Sequence, residues 1–241
     1  MIPLILWQLR WRIGVVLLIC GAFYLIEPSF HLHAAEDAAD AVPPGEIAFT
    51  LANLAGASML VLLAGFISTD RRRGYYRVLF SHPTRPLAYY GLRWAMAYAL
   101  TLAIAAVFFV ASQLAAWGEL RAGPSALLQP ALFALVYGGL VAFASIAFPR
   151  GDSLIVLAVY LLTDLWQGFI GFFTEAGLEA PLTPTLRQAV SFVLPPHLAL
   201  RDLYEAARVG VTAWGDIAFA GGYGLFWLVL AAVLLWRREW P

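Results

Sequence analysis

The chain contains no lysine, and all fifteen of its basic residues are arginine. A G-x-x-x-x-G-K-[ST] phosphate loop needs that lysine to reach the terminal phosphates of ATP. This form of nucleotide site is therefore excluded, as are a Schiff-base lysine and a Ser-Lys catalytic pair. The single cysteine, Cys20, lies in an apolar run, so no intrachain disulfide can form and no histidine is placed to activate it as a nucleophile. Neither a G-x-S-x-G elbow nor H-E-x-x-H occurs, and no basic patch interleaved with aromatics points to nucleic acid. Charge is scarce as well: Asp, Glu and Arg make up 12% of the 241 residues and sum to zero. Enzymatic readings are left without a catalytic set.

Apolar surface is what the chain has in excess. With 62% hydrophobic residues and a mean hydropathy of +0.78, there is more of it than one soluble core can hide. The composition predicts an all-α polytopic membrane protein. Residues 1–12 read as an interfacial helix, with Trp7 and Trp11 at headgroup level and Arg10 and Arg12 reaching the anionic surface, ahead of a first span over about 13–30. One continuous span over 2–26 is the alternative, and a cleaved signal peptide is a third. Further spans are expected at about 47–68, 93–117, 127–148, 153–173 and 217–236. In the span at 47–68, Gly56, Ala57, Ser58 and Gly65 are small enough to let helices approach closely.

The loops set the orientation. Residues 27–46 carry five carboxylates and no arginine, which marks an exterior loop. Within it His31 and His33 lie near Glu36 and Asp37, but no further ligand pair converges, so a solvated loop is favoured over a metal site. Residues 70–94 hold six of the fifteen arginines and one carboxylate, Asp70. Six spans with both termini cytoplasmic place eleven arginines inside and four outside, and the inverted orientation would reverse that bias. Residues 174–216, broken at Pro195 and Pro196, read as short external helices, partly re-entrant, with His197 outside the spans.

One ionisable group falls inside a span. Asp164, followed by Gln167, must face the bundle interior or a cavity, because a carboxylate in hydrocarbon costs several kcal/mol without a partner. It lines a pathway or pairs structurally with a neighbouring helix or a second subunit, and both readings stay open. Asn53, Gln113 and Gln167 are the other polar residues available to a pathway.

In the cytoplasmic segment 69–92, a helix from Tyr75 would put Tyr76, Leu79 and Phe80 on one face, with Arg73 and Arg77 turned elsewhere and Pro83 ending it. Such a helix suits a membrane surface or a groove on another protein. The run Asp70-x-x-x-Gly74, a short apolar-faced helix and Ser81-His82-Pro83 resemble the coupling segment of ABC transporter permeases of the type-2 export class. The architecture is similar to that family over nearly the whole chain. The resemblance implies a homodimer, or a pairing with a related permease subunit, in the bilayer of a bacterial inner membrane. It also implies a separate ATP-binding subunit, which holds the ATP and Mg and docks on Asp70, Arg71, Arg72, Arg73, Gly74, Tyr76, Arg77, Leu79, Phe80 and Pro83. The chain itself then needs no cofactor and is not an enzyme. Tyr75, Arg72 and Arg77 depart from the family pattern. A non-transporting membrane anchor and an intramembrane enzyme are the alternatives.

Overall fold

The computed structural model describes residues 1–26, 44–75, 85–148, 150–176, 183–208 and 212–237. The described residues form helices joined by turns, with no strand among them. Among the described residues five helices are long and apolar enough to cross a bilayer, and the chain is a helical membrane protein. They are α1 (Ile2–Ile26), α4 (Pro86–Trp117), α5 (Leu128–Ala147), α6 (Asp152–Glu175) and α9 (Trp214–Arg237). The shorter helices are α2 (Pro44–Leu62), α3 (Ser68–Arg72), α7 (Pro184–Val193) and α8 (His197–Arg208).

Three expected boundaries move. No break separates residues 1–12 from the run that follows: α1 is one helix of 25 residues, about 37 Å long, with Pro3 in its first turn where a missing N–H costs nothing. The second expected span stops being helical at Leu62 rather than Ser68, and its last stretch is a buried turn over 63–67. Gly65 makes that turn at φ +64°, and a Cβ there would meet Thr69 Oγ1 at 2.1 Å, so this glycine serves the turn and not a helix contact. The third span begins at Pro86, seven residues before the expected Arg93, because Pro at the first helical position presets the helix while Arg85 stays extended.

The core is organised around α5. It is buried along most of its length and packs chiefly against α2 on one side and α9 on the other, with α4 and α6 completing the shell. Small residues make this possible. A Cβ on Gly139 would lie 2.4 Å from the carbonyl oxygen of Gly224, so α5 and α9 touch backbone to backbone. On the opposite side Gly56 of α2 faces the Tyr137 ring, in the expected role of a close-approach residue. Helix α4 runs antiparallel to α5, as Trp94 Nε1–H donates to the Gly138 carbonyl at 3.0 Å and Tyr98 Oη–H to that of Ala131 at 3.2 Å. Helices α1 and α6 lie at the periphery and turn their leucines outward, among them Leu18, Leu154 and Leu165.

Candidate functional site

Two polar clusters interrupt this apolar bundle. The first is built on the turn after α2. A turn at this depth leaves backbone groups that water does not reach, and side chains from other helices take them up. Arg12 of α1 donates to the Leu62 carbonyl at 2.8 Å, Arg93 of α4 to that of Phe66 at 3.1 Å, and Ser145 Oγ of α5 accepts from the amides of Ile67 and Ser68. The same arginine then holds α3. Arg93 Nη1 lies 3.1 Å from Asp70 Oδ2, both side chains are buried, and Tyr90 Oη–H donates to the same oxygen at 3.3 Å. Ser68 Oγ–H reaches Asp152 Oδ2 at the start of α6 (3.0 Å), and Arg71 Nη1 reaches the Ile146 carbonyl near the end of α5 (3.2 Å). Burial pushes the Asp70 carboxyl up from the ordinary carboxylate range, against the pull of Arg93 and Tyr90.

This cluster holds helices together. Asp70 is spent on that task, since it is buried and faces Arg93, so it belongs to the support of any docking surface and not to its contact face. Arg71 is half committed in the same way, whereas Arg72, Arg73, Gly74 and Tyr75 are exposed. Tyr76, Arg77, Leu79, Phe80 and Pro83 lie outside the described residues, as do His31, His33, Glu36 and Asp37.

The second cluster surrounds Asp164. Its Oδ1 lies 3.0 Å from Nδ1 of His197, the first residue of α8, and the ring's Nε2 is hydrogen-bonded to the Tyr137 hydroxyl of α5. A carboxylate that accepts at Nδ1 fixes the proton there, so Nε2 accepts from Tyr137. Phe133, Tyr137 and Tyr160 enclose the imidazole with ring centroids 5.3–5.7 Å away, and Tyr160 Oη–H donates to Asn53 Oδ1 of α2 at 3.2 Å. The His197 side chain is 5% exposed and that of Asp164 47%. Burial holds the imidazole below the ordinary histidine value, and Asp164 opposes this without overcoming it.

A partly open cavity of about 110 Å³ is lined by Thr163, Trp166 and Gln167 of α6, Leu194, Pro195 and Pro196 of the turn between α7 and α8, Ala199 and Phe219. No family model, curated protein or solved structure matches the chain. The site is therefore read from its own chemistry. Among the described residues no group of three or more His, Cys, Asp or Glu side chains is arranged to hold a metal.

Of the residues expected along a pathway, Gln167 lines the cavity, whereas Asp164 is bound to His197 and is not among the lining residues. Gln113 instead accepts from the amides of Arg121 and Ala122 and fixes the turn after α4, and Asn53 is bound to Tyr160. His197 is the residue that sequence reasoning placed outside the spans and gave no role. Its signal was present in the spacing of His197, Leu200 and Leu203, which put one buried stripe on a short helix directly after the proline pair.

Proposed function

We propose that the chain is the membrane permease subunit of an ATP-driven exporter of the ABC type-2 class, with six crossings, both termini cytoplasmic and α2 extended by its buried turn as the second crossing. ATP and Mg belong to a separate ATP-binding subunit, and the functional permease pairs with a second copy or a related subunit. The observation that carries this reading is the anchoring of α3. A helix of five residues is tied by side chains to α4, α5 and α6 at once, while Arg72 at its end and Arg73 just after it are exposed. A partner pressing on residues 70–90 would load three long helices together. That is what coupling a soluble motor to a membrane bundle requires.

The test is copurification from mild detergent. A P-loop ATPase is expected in stoichiometric amount, and the joint replacement Arg72→Glu and Arg73→Glu is expected to release it, since the two exposed arginines would meet an acidic groove. Repeated recovery of the chain alone would overturn the proposal. A partner whose ATPase rate stays the same in Asp164→Asn and with every candidate substrate would instead leave the chain as an anchor.

A further inference from the structure

Helix α7 meets the bundle at its C-terminal end, where the Phe192 ring lies 5.8 Å from that of Phe219 and Tyr223 Oη–H donates to the Val193 carbonyl at 2.9 Å. Both partners belong to α9, about 8 and 14 Å along its axis from Trp214, at which the helix begins. A helix of 24 residues is about 36 Å long and exceeds the hydrocarbon core by about 6 Å. Even with all of that excess at the Trp214 end, both contacts fall inside the core. Exposed Trp214 suits the headgroup level above them. Helix α6 gives the same depth, since Gln167 and Thr163, which share the cavity with the turn after α7, lie about 12 and 18 Å from its last residue, Glu175. The turn that joins α7 to α8 therefore sits below the surface of the leaflet at this end.

The backbone of that turn is built for such a depth. Pro195 and Pro196 bring no N–H, their carbonyls accept from the amides of His197 (2.8 Å) and Leu200 (3.0 Å), and the Val193 carbonyl is taken by Tyr223. The sequence of α7 changes along its axis in the same sense. Thr185, Arg187 and Gln188 fall in its first half, and Ala189, Val190, Phe192 and Val193 in its second. Phe192 and Val193 are 69% and 70% exposed, a surface that suits lipid at this level and not water. In the cavity, Thr163, Pro195, Pro196 and Ala199 form the buried wall, and Phe219 stands on the more open rim. The Thr163 hydroxyl donates to the Val159 carbonyl of its own helix, which leaves Gln167 as the other polar side chain of the lining. A water molecule needs two to four polar partners, and an apolar cavity of about 150 Å³ stays dry and takes up hydrocarbon. Because Phe219 touches exposed Phe192, the cavity is continuous with the lipid-facing surface of α7 and α9.

We propose that α7 and the turn of Pro195 and Pro196 dip into the bilayer, and that the cavity holds an acyl chain of a phospholipid from that leaflet. Arg187 lies about 9 Å along α7 from Val193 toward the surface, where it matches the charge of the lipid phosphate. The inference rests on the membrane assignment and not on the permease reading, and its test needs no ATPase. The purified chain is placed in nanodiscs that contain a phosphatidylcholine with a diazirine at mid-chain, irradiated, and mapped by mass spectrometry. Labelling is expected on residues 195–199. Ala199→Phe fills the cavity and should lower that labelling about tenfold, while labelling at lipid-facing Leu18 of α1 stays the same. Thr163→Leu fills it from α6 and serves if Ala199→Phe does not fold. A second measurement is independent of both: in a Cys20→Ala chain, a nitroxide at Phe192→Cys should be relaxed more by oxygen than by a water-soluble nickel chelate, and one at Gln188→Cys the reverse. No labelling of residues 195–199, labelling that neither filling variant lowers, or equal nickel access at the two positions overturns the proposal. Shielding of the Phe192→Cys nitroxide from both reagents in a dimeric chain would also overturn it, by giving this face to a second copy.

Discussion

At the scale of single residues, the Asp70–Arg93 pair is where the fold carries most electrostatic risk. Both side chains are at least nine-tenths buried, so removing one leaves the other desolvated and unpaired. Arg93→Met is expected to cost about 3–5 kcal/mol, and Asp70→Asn with Arg93→Met together to cost less than Arg93→Met alone, read from melting temperatures in detergent. The single variant has a further signature. Asp70 is already shifted upward by burial, and losing Arg93 removes the strongest opposing influence. A carboxyl whose folded pKa exceeds its unfolded value stabilises below the unfolded value and loses that stability as pH rises through the folded one. Arg93→Met should therefore melt higher in mild acid than in mild alkali, by a margin larger than the native chain shows. Equal pH profiles for the two would place the pair in water.

At the scale of elements, the α5–α9 crossing depends on two glycines. Gly139→Ala would place a methyl group 2.4 Å from a backbone oxygen that no rotamer change can move. About 1–3 kcal/mol of destabilisation is expected, whereas Gly221→Ala, whose nearest neighbour is a leucine methyl at 3.7 Å, should be close to neutral. Similar melting temperatures for the two would contradict the close approach. The helices themselves were legible because bilayer thickness forces long apolar runs, and Asp164 stood out because it breaks one. Their partners were not. Asp70 and Arg93 lie 23 residues apart, and a polar segment full of arginine reads as a solvated loop; nothing local reveals that its acid turns inward. His197 is 33 residues from Asp164 and follows two prolines; a short helix was expected there, but nothing local reveals that its first side chain turns to Asp164. Helix ends moved for a related reason. Hydropathy does not distinguish an apolar helix from an apolar turn such as 63–67, whose backbone is satisfied by side chains from other helices.

At the scale of the molecule, the proposed six crossings fix which surfaces share a side. Cys20 is the chain's only cysteine and is buried, so Cys20→Ala provides a clean background for labelling. Single cysteines at Arg72 and Arg237 are expected to react with a membrane-impermeant maleimide only from the cytoplasmic face, and one at Glu119 only from the other. Labelling of Arg72 and Glu119 from the same face would break the topology.

Helix α6 combines little burial with a few side-chain fastenings, Tyr160 to Asn53 of α2 among them. It is pinned by Asp152 to Ser68 at one end and by Asp164 to His197 about 18 Å further along, while most of its surface faces away from the bundle. A rod fastened mainly by single side chains pivots more readily than it slides. A tilt of about 10° at the Ser68 pin moves the Asp164 pin by roughly 3 Å, close to the length of one hydrogen bond. Torque applied at the arginine-rich end would thus reach the carboxylate as a bond made or broken.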